Sequence, residues 1–247
     1  MMDTFNGALL LRKSLLTSMR DSPHVVRQGL LVVLLVGLLV GGVEGVRGGL
    51  AVLNPDRELA RWYDGIDQPL SQAAMSAQTP EERVFISMLR ENLKYVVGIA
   101  KEINSLPTPL PTPFRAIAQG VGTLVSRPLI YFQGVLLSVI FTHITASWLG
   151  GRGSIQQMLG LGALAVAPHA LDALTFIPVL GPMLGGIAWG WGLIILIAGT
   201  SFAHRLETER AALAVFFFPL IGILLAGIVG CTILGLFGSL AASAVAP

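Results

Sequence analysis

The sequence predicts an all-α, polytopic integral membrane protein with five transmembrane helices and a helical extracytoplasmic insertion. Three observations predict it. Apolar residues fill 53% of the 247 positions and charged residues only 12%, about half the charged share of an ordinary soluble domain. The apolar residues gather into windows of about 20, the length a helix needs to cross a hydrocarbon core of about 30 Å. From 155 to 240 these windows follow one another with only a Pro-Val-Leu-Gly-Pro turn at 178–182 and a charged patch at 204–210 between them. The mean hydropathy of +0.74 agrees.

Residues 1–29 form the amino-terminal segment, expected in the cytoplasm. The first span, 30–53, opens with the run LLVVLLVGLLVGGV, and Glu44 and Arg47 interrupt its far end. A long polar stretch precedes it and no A-x-A cleavage pattern follows, so it reads as a retained anchor rather than a signal peptide. The second span, 128–149, carries Tyr131 and Trp148 near its ends, where interfacial aromatics belong. The third span is 155–177, the fourth 183–202 and the fifth 211–240, with Pro219 as a kink site. Residues 241–247 are a short tail. Each span must be helical, because an unpaired backbone group in hydrocarbon costs several kcal/mol.

Between the first two spans lies the insertion, 54–127. Thr79-Pro80-Glu81-Glu82 is a helix start, with Thr79 as cap, Pro80 in the first turn and Glu82 closing a capping box. Val84, Phe85, Met88, Leu89, Val96, Val97 and Ile103 recur after it at helical spacing, with charges of both signs between them. A shorter helix is expected over 55–65. The alternating prolines of LPTPLPTP (106–113) favour a stiff extended strut, and 114–126 reads as an interfacial helix leading into the second span.

Orientation follows from lysine and arginine placement. Arg12, Lys13, Arg20 and Arg27 precede the first span, Arg152 follows the second, and Arg205 and Arg210 follow the fourth. Five crossings place all seven on one face. That puts the amino terminus in the cytoplasm and the carboxyl terminus outside, in what is expected to be a bacterial cytoplasmic membrane.

Small and polar residues inside the spans are the candidate functional positions. Gly37, Gly41, Gly45 and Gly49 line one face of the first span, and Gly181 with Gly185 repeats the pattern in the fourth. Such faces let another helix approach closely, either within the bundle or from a second subunit. Ionisable groups at membrane depth are functional candidates by default. His169 and Asp172 share a face, and Glu44 lies at a similar depth, about 9 Å below the same outer surface as Asp172 at about 8 Å. Arg47 is placed to pair with either acid. The expected arrangement is a polar cluster of Glu44, Arg47, His169 and Asp172, serving either as a hydrogen-bonded structural group or as an ion path. His143 sits at a different depth from His169, which argues against a metal shared by the two.

The chain contains no P-loop, GxSxG elbow or HExxH motif, so it is read as a non-enzyme without a catalytic residue, cofactor or metal. A net charge of +2 without clustered cations and aromatics gives no footprint for nucleic acid. Cys231 alone forms neither an internal disulfide nor a cysteine zinc site.

The carboxyl-terminal pattern resembles the Yip1 family of multi-spanning membrane proteins, in its bacterial branch. The features that carry the resemblance are Gly150-Gly151 with Gly153-Ser154 before a span and a helix interrupted at Pro168. Ile177-Pro178 and Gly181 follow, then a span with Trp189 and Trp191, then Arg210-Ala211 before a final span with Pro219. The resemblance covers 128–240 as a four-helix region and implies a five-helix plan when the first span is added. Eukaryotic members are associated with Rab GTPases and vesicle traffic and have an acidic-aromatic-glycine motif in their polar amino-terminal part; this chain has no counterpart of that motif, and Rab binding is not carried over. The functional expectation is an organiser or accessory subunit of a larger membrane assembly, with lipids and other membrane subunits or a second copy as partners. A small transporter or channel component is the alternative.

Overall fold

The structure, a computed structural model, describes residues 2–107, 109–177 and 180–245. Their regular elements are all helices: α1 (Met2–Leu9), α2 (Lys13–Arg20), α3 (Val25–Leu53), α4 (Pro55–Ser76), α5 (Pro80–Ser105), α6 (Thr112–Trp148), α7 (Ile155–Gly162), a 3₁₀ segment (Ala163–Leu174), α8 (Leu180–His204) and α9 (Thr208–Val245). Among the described residues four helices are long and apolar enough to cross a membrane: α3, α6, α8 and the Thr208–Thr232 part of α9. The chain divides into two compact units, Met1–Gly41 with Ser126–Pro247, and Gly42–Val125.

In the first unit the amino-terminal segment folds onto the bundle. Leu16 and Met19 form the buried side of α2. The Gln157 side-chain amide donates to the Arg20 carbonyl at 3.2 Å, and the Trp191 indole donates to the Leu9 carbonyl at 2.9 Å. Those side chains give polar ends to two helices of eight residues each, which are too short to be stable alone.

The predicted third span is built differently from expectation. Its eight-residue α7 passes into a 3₁₀ segment of twelve residues, far longer than the usual three or four. Pro168 lies inside it, has no N–H to donate, and its ring excludes the carbonyl four residues back. The surrounding protein covers the resulting irregular backbone: Ala163, Leu164, Val166, Ala167 and Pro168 are all buried. Backbone without a regular α-helical ladder is tolerated under such cover. The glycines of α8 provide part of it. A β-carbon on Gly192 would stand 2.7 Å from the Ala165 carbonyl oxygen, and one on Gly199 3.1 Å from that of Leu161, so α8 lies directly on this backbone.

The expected boundary between an interfacial helix and the second span is absent. One helix of 37 residues, α6, runs through Pro128. It also takes in Thr112 and Pro113, shortening the expected strut; Thr108 of that strut lies outside the described residues. Pro178 and Val179 of the expected outer turn, and Ala246 and Pro247 of the tail, lie outside them as well.

The second unit contains the α4–α5 hairpin. The capping box at Thr79 is present: its hydroxyl accepts from the Glu82 amide at 3.2 Å, and the Glu82 carboxylate accepts from the Gln78 and Thr79 amides at 2.9 and 3.4 Å. α4 extends well beyond the expected 55–65, to Ser76, with Pro69 inside it. Arg90 grips Asp67 with two bonds of 2.8 and 2.9 Å, joining the helices. That guanidinium holds the Asp67 carboxyl below its ordinary range.

Candidate functional site: two polar clusters in the helical bundle

Two groups of polar side chains meet within the first unit. One is centred on Asp172. Its Oδ2 lies 2.8 Å from Nδ1 of His169 and accepts from the Tyr131 hydroxyl at 2.7 Å. The 3₁₀ geometry explains the first contact, because three residues per turn stack positions i and i+3 directly. The Tyr131 and His169 rings are 5.6 Å apart and tilted at 49°, and the charge of Arg127 acts on the same carboxylate. A carboxylate with two donors on one oxygen is well satisfied where it stands.

The other group pairs His143 of α6 with His204 at the end of α8. Their Nδ1 and Nε2 atoms are 3.0 Å apart, and the rings are tilted with centroids at 4.9 Å. One ring must donate and the other accept, so the two neutral histidines hold the same tautomer, both Nδ1–H or both Nε2–H. His204 is 1% exposed, and its Nδ1 has no hydrogen-bond partner among the described residues. Close-packed glycine explains the burial: a β-carbon on Gly151 would stand 2.6 Å from that Nδ1.

Of the sequence-selected residues, the structure thus joins His169 to Asp172. Glu44 and Arg47 stand on α3 in the second unit, and each is engaged in an interaction. Gly37, Gly45 and Gly49 of the first span face α6. A β-carbon on Gly37 would lie 2.5 Å from the Pro128 Cα in the first unit. In the second unit, β-carbons on Gly45 and Gly49 would lie 2.6 and 3.0 Å from the Gly120 and Ala116 carbonyl oxygens. Gly41 is buried. On α8, Gly181 abuts the Thr175 carbonyl, whereas Gly185 faces open space.

Two members of these groups are invisible to sequence reasoning. Tyr131 reads as an interfacial aromatic, and only the register of α6 against the 3₁₀ segment brings it to Asp172. His204 reads as part of a charged patch, and its partner is 61 residues away. Among the described residues no set of three or more His, Cys, Asp or Glu is placed to hold a metal ion.

The four apolar helices, the proline-broken segment and the glycine turn before it are now in view, and the Yip1 domain model matches residues 13–230. The chain belongs to the Yip1 family. The match extends beyond the carboxyl-terminal region in which the resemblance is legible by eye, from α2 into α9, and its bounds include the α4–α5 hairpin. No curated protein and no solved structure matches this Yip1 chain. Membership and the apolar helices make it a multi-pass membrane protein.

Proposed function

We propose that this Yip1-family chain is a non-enzymatic interaction protein, an organiser or accessory subunit of a larger membrane assembly. The observation that carries the reading is the outer face of α5. Val84, Phe85, Met88 and Ile103 are each more than half exposed, on a helix that is not one of the four apolar candidates for crossing the membrane. Large apolar side chains gathered on a water-facing helix mark a surface that another molecule covers. Arg83, Glu91, Lys94 and Glu102 mix both signs around that face. Mixed charge suits a protein partner better than an anionic lipid surface.

The topology that presents this face has five crossings, with the α4–α5 hairpin outside the cytoplasm, the amino terminus within it and the carboxyl terminus outside. Two observations support the fifth crossing. At about 1.5 Å per α-helical and about 2.0 Å per 3₁₀ residue, α7 and the 3₁₀ segment together reach about 36 Å, enough for a core of about 30 Å. The Arg152 amide also donates to the His204 carbonyl at 3.0 Å. The ends of α6 and α8 therefore meet, and the chain between them goes out and back. The transport alternative is not adopted, because Asp172 is already satisfied by His169 and Tyr131.

The test is native mass spectrometry after extraction in mild detergent. A stable oligomer or a complex with a defined partner is expected, and Phe85→Asn with Met88→Asn should release it. A protein that is monomeric and partnerless under gentle extraction would end this reading.

A further inference from the structure

A cleft of about 370 Å³ opens where α8 turns into α9, lined chiefly by Gly150, Arg152, His204, Arg205, Glu207 and Arg210. The glycine turn between α6 and α7 builds one wall. Gly150 has a φ of +92°, which glycine adopts without strain. A β-carbon on Gly151 would stand 2.6 Å from the His204 ring, and one on Gly153 would collide with the Ala203 carbonyl. The turn is thereby pressed onto the last residues of α8 and held there by the bond from the Arg152 amide to the His204 carbonyl.

Arg205 forms the opposite wall in the left-handed region, with a φ of +55°. That conformation ends α8 in a left-handed cap, with the Leu206 amide donating to the Ser201 carbonyl at 3.1 Å. Arg210 follows from the first turns of α9, whose amino-terminal dipole also favours an anion. Among the described residues none of these three guanidiniums has a carboxylate at ion-pair distance. The acids nearby are Glu207 in the wall, Glu209 in the first turn of α9, and Asp21, which is held by Arg20 and feels the charge of Arg205. Three cations against one lining carboxylate leave the cleft basic.

We propose that this cleft binds a phosphate group at the membrane surface. Three arginines line one small volume, and guanidinium forks match phosphate oxygens in geometry and charge. The cleft sits where two apolar helices end, which is headgroup level for helices that cross a bilayer. The phosphate belongs either to an anionic phospholipid or to a free phosphate ion. This inference does not depend on the partner-binding surface of α5.

The test uses the full-length protein in detergent, with phosphatidylglycerol and inorganic phosphate as separate probes, read by native mass spectrometry. Arg152 and Arg210 are exposed, so R152Q with R210Q should fold normally; R12Q with K13Q removes the same charge elsewhere. Loss of retained phosphatidylglycerol by about tenfold or more in the first pair alone supports the site and identifies a lipid headgroup. Saturable binding of inorganic phosphate that the same pair abolishes, without lipid retention, supports the site with a free ion. E207Q should strengthen whichever probe binds. Equal losses in both pairs, or no binding of either probe, would overturn the proposal.

Discussion

Gly37 of α3 lies against Pro128 of α6 so closely that a β-carbon there would stand 2.5 Å from the proline Cα and 2.9 Å from its nitrogen. Pro128 cannot donate a helical hydrogen bond, yet α6 continues through it, and the bare face of Gly37 leaves room for its backbone. Gly37→Val should therefore lower stability by about 1–3 kcal/mol through overpacking, measured by thermal unfolding in detergent. Gly185→Val, at a position with open space around it, is the control. Equal losses in the two variants would contradict the packing described.

Gln156 and Glu209 are exposed in the first turns of α7 and α9, which follow the joined residues Arg152 and His204, whereas Ser87 is exposed on α5. In a Cys231→Ser background, Gln156→Cys and Glu209→Cys should be protected from an impermeant maleimide added outside intact cells, and Ser87→Cys should react. Labelling of Gln156→Cys and Glu209→Cys from opposite faces would remove the fifth crossing.

The Tyr131–Asp172 bond predicts coupling between two helices. Tyr131→Phe and Asp172→Asn should each cost about 1–2 kcal/mol, and the double variant should cost clearly less than the two combined. Strict additivity in unfolding measurements would show that the two groups do not act together.

Asp67 predicts a dependence on pH. Its carboxyl is held below the ordinary value of 3.8 by Arg90, so the folded state binds its proton less readily than the unfolded state. The contribution is complete above 3.8 and disappears as pH falls through the lowered folded value. Asp67→Asn should therefore destabilise the hairpin at neutral pH and have no effect at sufficiently acid pH. A difference from the parent that is independent of pH would refute this.

Much of the fold was legible in residue order, and the places where it was not share a cause. The capping box at Thr79 uses residues three apart, so spacing alone reveals it. α3, α8 and α9 come from apolar runs that report burial or lipid contact directly. Pro128 opens the expected second span and Pro168 interrupts the expected third, yet α6 runs on through one and the chain becomes 3₁₀ around the other. No spacing in the sequence separates these outcomes. The polar site divides in the same way. His169 and Asp172 are three apart and visible as a pair, whereas Tyr131 and His204 acquire partners only through the register of α6.

Residue order by itself determined that this chain is helical, belongs in a bilayer and carries the glycines and prolines of its family. Those properties depend on local composition and on hydrogen bonds closed within single helices. Tertiary structure alone decided which carbonyl each glycine lies against, which histidine meets His143, and how three arginines come to surround one cleft. Such contacts depend on the rotation and offset of neighbouring helices, set by close packing between residues distant in the chain.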